Sequence, residues 1–419
     1  MFIEPLMARY LRYVNREYLT FRQFDQIAIP QGRSDRDYLL YVHVPFCEQL
    51  CPYCSFNRYP LNVPLARRYF AALRREISSY QDKGFRFTGV YVGGGTPTVL
   101  PDELAETLEL IRSLYPVKEI SVETNPNHLT DDIVAILKNA GVNRLSVGVQ
   151  SFDDGLLQAM ERFHKYGSGA DIKARLKNYM GVFDTLNVDM IFNFPTQTEK
   201  ILQRDLEIID QLPVDQVTFY PLMASAATEK AIQKTLGKVD YGQEKRFYRQ
   251  LLTFLSRNYT PGSAWCFSRK KSMIDEYIVD YDEYLGVGSG SFSYVQGTIL
   301  ANTFSVPDYC TALEDGKLPV TAKKEFTLLE RMRYDFLMKL FGTCLDRGQL
   351  RRKYGPLFER ALWKEISLFR LLGALRFNGD QMLLTASGMY FWVIMMREFF
   401  IGVNNFRDIS RSKVDEGKQ

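Results

Sequence analysis

Histidine is nearly missing from this chain: three in 419 residues, too few for a catalytic histidine cluster. No basic run is long enough, or interleaved enough with aromatics, to track phosphates, so a net charge of +4 does not argue for nucleic acid. No stretch is built to span a membrane. The most apolar run, MYFWVIMMREFF at 389–400, is short and broken by Arg397 and Glu398. The start, MFIEPLMARYLRYV, lacks small residues before a cleavage site, so a cytoplasmic protein is expected. Repeats and low-complexity segments are also missing. A composition of 46% hydrophobic and 24% charged residues excludes disorder as the default, and the length suits one large α/β domain with a smaller one. Of six cysteines, Cys266, Cys310 and Cys344 lie far apart and read as buried free thiols in a reducing compartment.

The other three cysteines crowd into YVHVPFCEQLCPYCSFN, residues 41–57, as Cys47, Cys51 and Cys54 in the spacing C-x3-C-x2-C. The apolar run before them reads as a buried strand. Three thiolates on one loop lack the fourth ligand of a structural zinc site. They suffice for three irons of a 4Fe–4S cluster, leaving the fourth iron open. A zinc loop and scattered core cysteines are the plainer alternatives. This spacing, with Tyr53 before the last cysteine, resembles the signature of radical S-adenosylmethionine (SAM) enzymes.

Downstream, apolar strands alternate with helices. Strands are predicted at 88–95, 119–125, 143–150, 186–193 and 215–223, with helices at 63–80, 102–114, 131–140, between 153 and 183, and at 199–211. With the strand before the cysteines this makes six strand-then-helix units, whose strands are too apolar to be half-exposed. The pattern means a parallel sheet, doubly wound or an incomplete barrel. The chemistry-bearing residues gather at the C-terminal strand ends, which favours an open six-unit (β/α) barrel. We divide the chain into a lead-in (1–36), the partial barrel (37–225), a barrel-closing segment with a Gly/Ser loop (226–322) and a mainly helical, winged-helix-like domain (323–419). In that last domain the expected recognition helix is apolar rather than Arg-rich, which disfavours DNA binding.

GGGTP (93–97) follows a strand directly, and glycines there let a ligand reach the backbone; a triple glycine is also an ordinary turn. Glu123 ends the third strand and aims a carboxylate at the same edge, suited to a ligand's ammonium. Gln150 and Asp189 close the fourth and fifth strands, an amide and a carboxylate that suit two ribose hydroxyls. Arg162 is either a planar clamp for a carboxylate or a surface helix charge. His43 either donates a hydrogen bond near the cysteines or is an inward strand residue held by backbone. His128 reads as a loop histidine.

Together, YVHVPFC-x3-C-x2-C, GGGTP, VETNP, SVGVQSF, the R-x-H pair and D-x4-FPTQT resemble the oxygen-independent coproporphyrinogen III oxidase family of radical SAM proteins. The resemblance implies a 4Fe–4S cluster on Cys47, Cys51 and Cys54, and SAM cleaved reductively to a 5′-deoxyadenosyl radical. It places Tyr41 near the sulfonium and Gly94, Gly95, Thr96, Glu123, Gln150, Arg162 and Asp189 around the first SAM; some members bind a second. It also implies a flavodoxin- or ferredoxin-like electron donor. The departures are Phe56, where coproporphyrinogen oxidases carry a further cysteine, Asn193 for a family glycine, and SAWCFSR where the heme-chaperone branch has HN-x2-YW. They leave room for methyl-transferring members that use a second SAM, beside a tetrapyrrole-modifying enzyme and a heme chaperone. Aromatic residues outside these motifs (Trp265, Phe267, Tyr277, Tyr281, Tyr284, Phe292, Tyr294, Phe304) suggest a large, flat, apolar substrate. The 389–400 run is expected to pack on the barrel or to touch a membrane surface.

Overall fold

The computed structural model describes residues 3–18, 21–23 and 27–416. Its main sheet carries six parallel strands in chain order, β1 (Tyr38–Val44), β2 (Phe87–Gly94), β3 (Glu119–Thr124), β4 (Arg144–Gln150), β5 (Thr185–Phe192) and β6 (Gln216–Pro221). They form because each is an apolar run covered on both faces: β2 is buried at all eight positions, glycines included. The intervening helices have ordinary local causes. In α2 (Val63–Ser79), which follows α1 (Ile3–Tyr18), Asn62 caps the Leu65 N–H at 3.0 Å, Pro64 sits in the first turn, and Tyr69, Phe70, Leu73 and Ile77 line one buried face. Then come α3 (Pro101–Leu114), α4 (Asp131–Asn139), α5 (Gly169–Asn178), α6 (Glu199–Gln211) and α7 (Glu244–Leu255).

The sheet is an open, partial barrel, and the segment expected to close it lengthens both edges instead. Beyond β6 lies antiparallel β7 (Cys266–Ser268). Beyond β1, β8 (Tyr284–Val287) adds a seventh parallel strand, followed by antiparallel β9 (Phe292–Val295), β10 (Thr298–Asn302) and β11 (Val320–Glu325). The shorter strands were obscured in the sequence by the Gly/Ser loop between β8 and β9. That loop is held from inside by Glu76 of α2, fully buried, which accepts the Gly288 N–H and the Asn302 amide, each at 2.8 Å.

A helix covers the open side. After α8 (Leu328–Phe341) and a small three-stranded sheet of Cys344–Asp346, Leu375–Asn378 and Gln381–Leu384, the chain enters α9 (Ala386–Glu416). Two short helices, Leu357–Ala361 and Trp363–Leu371, meet at buried Leu362. On α9, Phe400 lies 6.0 Å from Trp265 beside β7, and Phe406 lies 6.1 Å from Phe292 of β9. One helix thus contacts the strands added on both sides of the six-stranded core.

The membrane-surface alternative for 389–400 is not what the structure shows. Met389 to Met396 are buried, with Trp392 and Met396 at 0% exposure. Burying such side chains contributes about 1.5–3 kcal/mol each, which favours core over any other environment. The two charges in the run are paired inside: Arg397 donates to Glu244 and to Glu398, and Glu398 accepts Arg12 of α1 at 2.6 Å. Among the described residues no helix is long and apolar enough to cross a membrane.

Candidate active site

β1 ends at Val44 and the chain turns into the cysteine loop, so the loop lies over the C-terminal strand ends. A cavity of about 390 Å³ opens there, lined by Cys47, Cys51 and Cys54 together with Gly94, Gly95, Thr96, Glu123, Gln150, Arg162 and Asp189. Every site residue expected from the sequence reaches this one space, Tyr41 included.

The cysteines sit among cations and hydroxyls. The Thr96 hydroxyl lies 3.5 Å from the Cys47 sulfur, and an Arg162 nitrogen 3.6 Å from the Cys51 sulfur. Arg58 donates twice to the Cys54 carbonyl, at 3.1 and 2.7 Å. Burial pushes the Cys47 thiol up to about 11 and raises that of Cys54. Iron would displace those protons, since the metal binds thiolates. Nitrogens of Arg58, Arg162 and Arg407 are buried without a hydrogen-bond partner. Three unspent donors around three thiols fit an anionic iron–sulfur cluster and the polar end of its ligand. Among the described residues, no three His, Cys, Asp or Glu side chains close in on a single metal ion. A cluster asks for a different arrangement, one thiolate to each of three irons.

Arg162 is 3% exposed, which removes the surface-charge alternative. It bonds Tyr53, Asn125 and the Gly148 carbonyl, and its guanidinium stands 4.1 Å from the Tyr166 ring centroid. His43 is the inward strand residue held by backbone. Its Nε2 lies 2.8 Å from the Asn57 carbonyl, which fixes the proton on Nε2, so Nδ1 accepts the Tyr41 hydroxyl at 2.9 Å. Burial drops its pKa to about 4, so the ring is neutral. His128 is buried and bonded to Thr98 at 2.7 Å.

The glycine loop owes its composition to the protein as well as to any ligand. Gly94 has φ +119°, and a Cβ there would stand 2.7 Å from Cε1 of His43; a Cβ on Gly95 would stand 2.7 Å from the Phe46 carbonyl oxygen. Gly95 and Thr96 donate their N–H groups to Val44 and Phe46, stitching β2 to the cysteine loop at 2.7 and 2.8 Å. Gln150, at φ 76°, ends β4 in a bulge that swings its amide into the cavity. Asn193 has φ 68°, the left-handed conformation for which asparagine is the best substitute for glycine, so this departure keeps the backbone.

Sequence reasoning missed the cavity floor. Asp275, on the irregular stretch before β8, accepts Arg144 at 2.9 Å, Tyr91 at 2.7 Å, Tyr220 at 2.9 Å and Thr218 at 3.0 Å. Asp189 lies beside it, accepting Ser146 and Asn187 at 2.7 Å each. Burial and the Asp275 charge raise Asp189 well above the usual carboxylate range. Asp275 itself is lowered: the Arg144 charge and the hydrogen bonds of Tyr91, Tyr220 and Asp189 together outweigh the cost of its burial. Burial, with the same Asp275 charge, raises Glu123 to about 7 and Glu276 to about 8. Arg144 was visible only as the polar residue opening an apolar strand. At the mouth, Arg407 of α9 bonds the Ser55 carbonyl at 2.8 Å and faces Phe56. Tyr277, Tyr284, Phe292 and Trp265 line the cavity, whereas Phe267, Tyr294 and Phe304 are core.

Residues 41–209 match the model of the radical SAM superfamily. The chain is 29% identical over 330 residues to the heme chaperone HemW of Bacillus subtilis, covering 75% of this chain and 86% of that one. It is 24% identical over 420 residues to the oxygen-independent coproporphyrinogen III oxidase of Helicobacter pylori, covering 92% and 90%. The solved coproporphyrinogen III oxidase (HemN) of Escherichia coli, a radical SAM enzyme, shares the fold with a TM-score of 0.73 at 22% identity, over 87% of this chain and 90% of that one. Residues 41–209 thus match a radical SAM domain, whose 4Fe–4S cluster and SAM suit the three-cysteine loop and its cavity, and the chain as a whole is similar to heme chaperones and coproporphyrinogen III oxidases.

Proposed function

We propose that this chain is a radical SAM oxidoreductase acting on a tetrapyrrole or a comparably large, flat aromatic. Cys47, Cys51 and Cys54 would hold the cluster, and Glu123, Gln150, Asp189, Arg162 and the Gly94–Thr96 backbone would hold SAM. The bound pair supplies a 5′-deoxyadenosyl radical. The chain's own residues keep the SAM end of the cavity polar, exclude water with α9 and its aromatics, and present Arg58 and Arg407 to substrate carboxylates.

The observation that carries this reading is that one cavity joins the three cysteines and the carboxylate floor to a wall of Tyr277, Tyr284, Phe292 and Phe400. A second reading, heme carriage, is supported by the likeness to heme chaperones. Histidine ligation of heme iron is disfavoured in this cavity: both His43 nitrogens are engaged, His128 is bonded to Thr98, and His164 is exposed. Reconstituted, reduced protein should form 5′-deoxyadenosine from SAM faster with coproporphyrinogen III present, releasing carbon dioxide. Label passing from methyl-SAM to an aromatic product would select methyl transfer. Stoichiometric heme binding with no substrate-dependent SAM turnover would overturn the enzyme reading.

A further inference from the structure

The Tyr91 hydroxyl stands 2.7 Å from Glu123 Oε1 and 2.7 Å from Asp275 Oδ1. One phenol carries one hydrogen, although its oxygen can also accept. Both contacts are hydrogen bonds only when one of the two carboxyls is protonated and donates to the phenol. Asp275 is surrounded by donors, namely Arg144, Tyr220 and Thr218, so it is the ionised member. Among the described residues Glu123 has one further hydrogen-bond partner, the Gly94 N–H at 3.2 Å. The proton therefore resides on Glu123.

Glu123 lines the cavity, and the groups that face it are few. Tyr41 comes from β1, Tyr91 from β2, Arg144 from β4, Asp189 from β5, and Asp275 and Tyr277 from the stretch before β8. The only fixed cation among them, Arg144, is spent on Asp275 and on Gln216. A ligand ammonium arriving at Glu123 would find a neutral acid, and pairing with it requires that acid to ionise.

We infer that SAM binding expels one proton from Glu123, with Tyr91 turning its hydrogen from Asp275 to the newly ionised Glu123. This rests on the proposed placement of the SAM amino group at Glu123. Asp275 is a positioning residue: its charge keeps Glu123 protonated in the free protein. The balance is simple. Glu123 loses a proton to solvent and gains two donors, the ligand ammonium and the Tyr91 hydroxyl, while Asp275 keeps Arg144, Tyr220 and Thr218. The elevation of Glu123 to about 7 by burial and by Asp275 agrees with that order of events.

The test is calorimetry of SAM binding to the cluster-loaded full chain, without reductant, in buffers of different ionisation enthalpy. At pH 6 the wild type should release close to one proton per SAM, and 5′-deoxy-5′-methylthioadenosine, which lacks the amino group, should release none. Asp275→Asn removes the charge that raises Glu123, so release should fall below about half while SAM still binds. Tyr91→Phe removes a donor to the ionised Glu123, so release at pH 6 should persist and extend to higher pH; this variant decides the matter should Asp275→Asn fail to fold. Binding without proton release by the wild type, or loss of release in Tyr91→Phe, overturns the inference and leaves the proposed function intact. A loaded cluster that binds no SAM overturns the proposed function itself.

Discussion

Gly94 and His43 are in contact across neighbouring strands: a Cβ on Gly94 would lie 2.7 Å from Cε1 of a ring bonded at both nitrogens. The ring cannot retreat without releasing Tyr41 or the Asn57 carbonyl. Gly94→Ala should therefore displace His43 and strain a backbone at φ +119°, costing about 1–3 kcal/mol of stability. Thermal denaturation and SAM affinity should both fall, and an unaltered melting temperature would contradict the contact.

The cysteine loop can be checked by composition. Reconstituted wild type should hold about four iron and four sulfide per chain, as a 4Fe–4S cluster requires. Cys51→Ala should lose most of both, and retention of a full cluster would show that the sulfur beside Arg162 is no ligand.

Asp189→Ala and Gln150→Ala should keep the cluster and weaken SAM binding. Losing a hydrogen bond to a bound polar group costs about 1–3 kcal/mol, roughly one to two decades in affinity. Equilibrium binding of SAM measures it; unchanged affinity in both variants would remove them from the ribose site.

Arg407 ties α9 to the cysteine loop through the Ser55 carbonyl. Arg407→Met should leave initial iron content near that of the wild type but let a chelator strip iron several-fold faster, because the loop loses its cover. Equal release rates would mean that α9 shields nothing.

Asp205 gives a pH signature independent of the cofactor. It is buried, accepts the Phe152 N–H and the Ser151 hydroxyl at 2.8 Å each, and is raised by that burial from 3.8 to about 7. The unfolded chain ionises this group first, so the folded state binds more protons between about pH 4 and 7, and stability declines as pH rises through that window. The full effect is on the order of 4 kcal/mol at 1.36 kcal/mol per unit. Asp205→Asn retains the Phe152 contact and can donate to Ser151, so the decline in melting temperature should flatten. A slope like the wild type's would mean that Asp205 stays ionised throughout.

Much of the fold could be read from the chain because its causes are local. Strands covered on both faces must be continuous apolar runs, so the expected bounds of β2 to β6 agree with the structure to within a residue or two. The cysteine spacing, the glycine loop and the strand-end Glu123 and Asp189 were legible for the same reason: strand direction alone carries them to one edge. What tertiary structure alone decided is whatever depends on partners far along the chain. Arg162 is a buried cation because Tyr53, Asn125 and Gly148 converge on it; nothing in MERFHKY separates that from a surface charge. Asp275 became the floor of the cavity because Arg144, Tyr91, Tyr220 and Thr218, from three different strands, meet around it. The charges in MYFWVIMMREFF look like interruptions until Glu244 and Arg12 arrive to neutralise them. Burial and charge pairing act through space, so they were invisible until the sheet had brought those residues together.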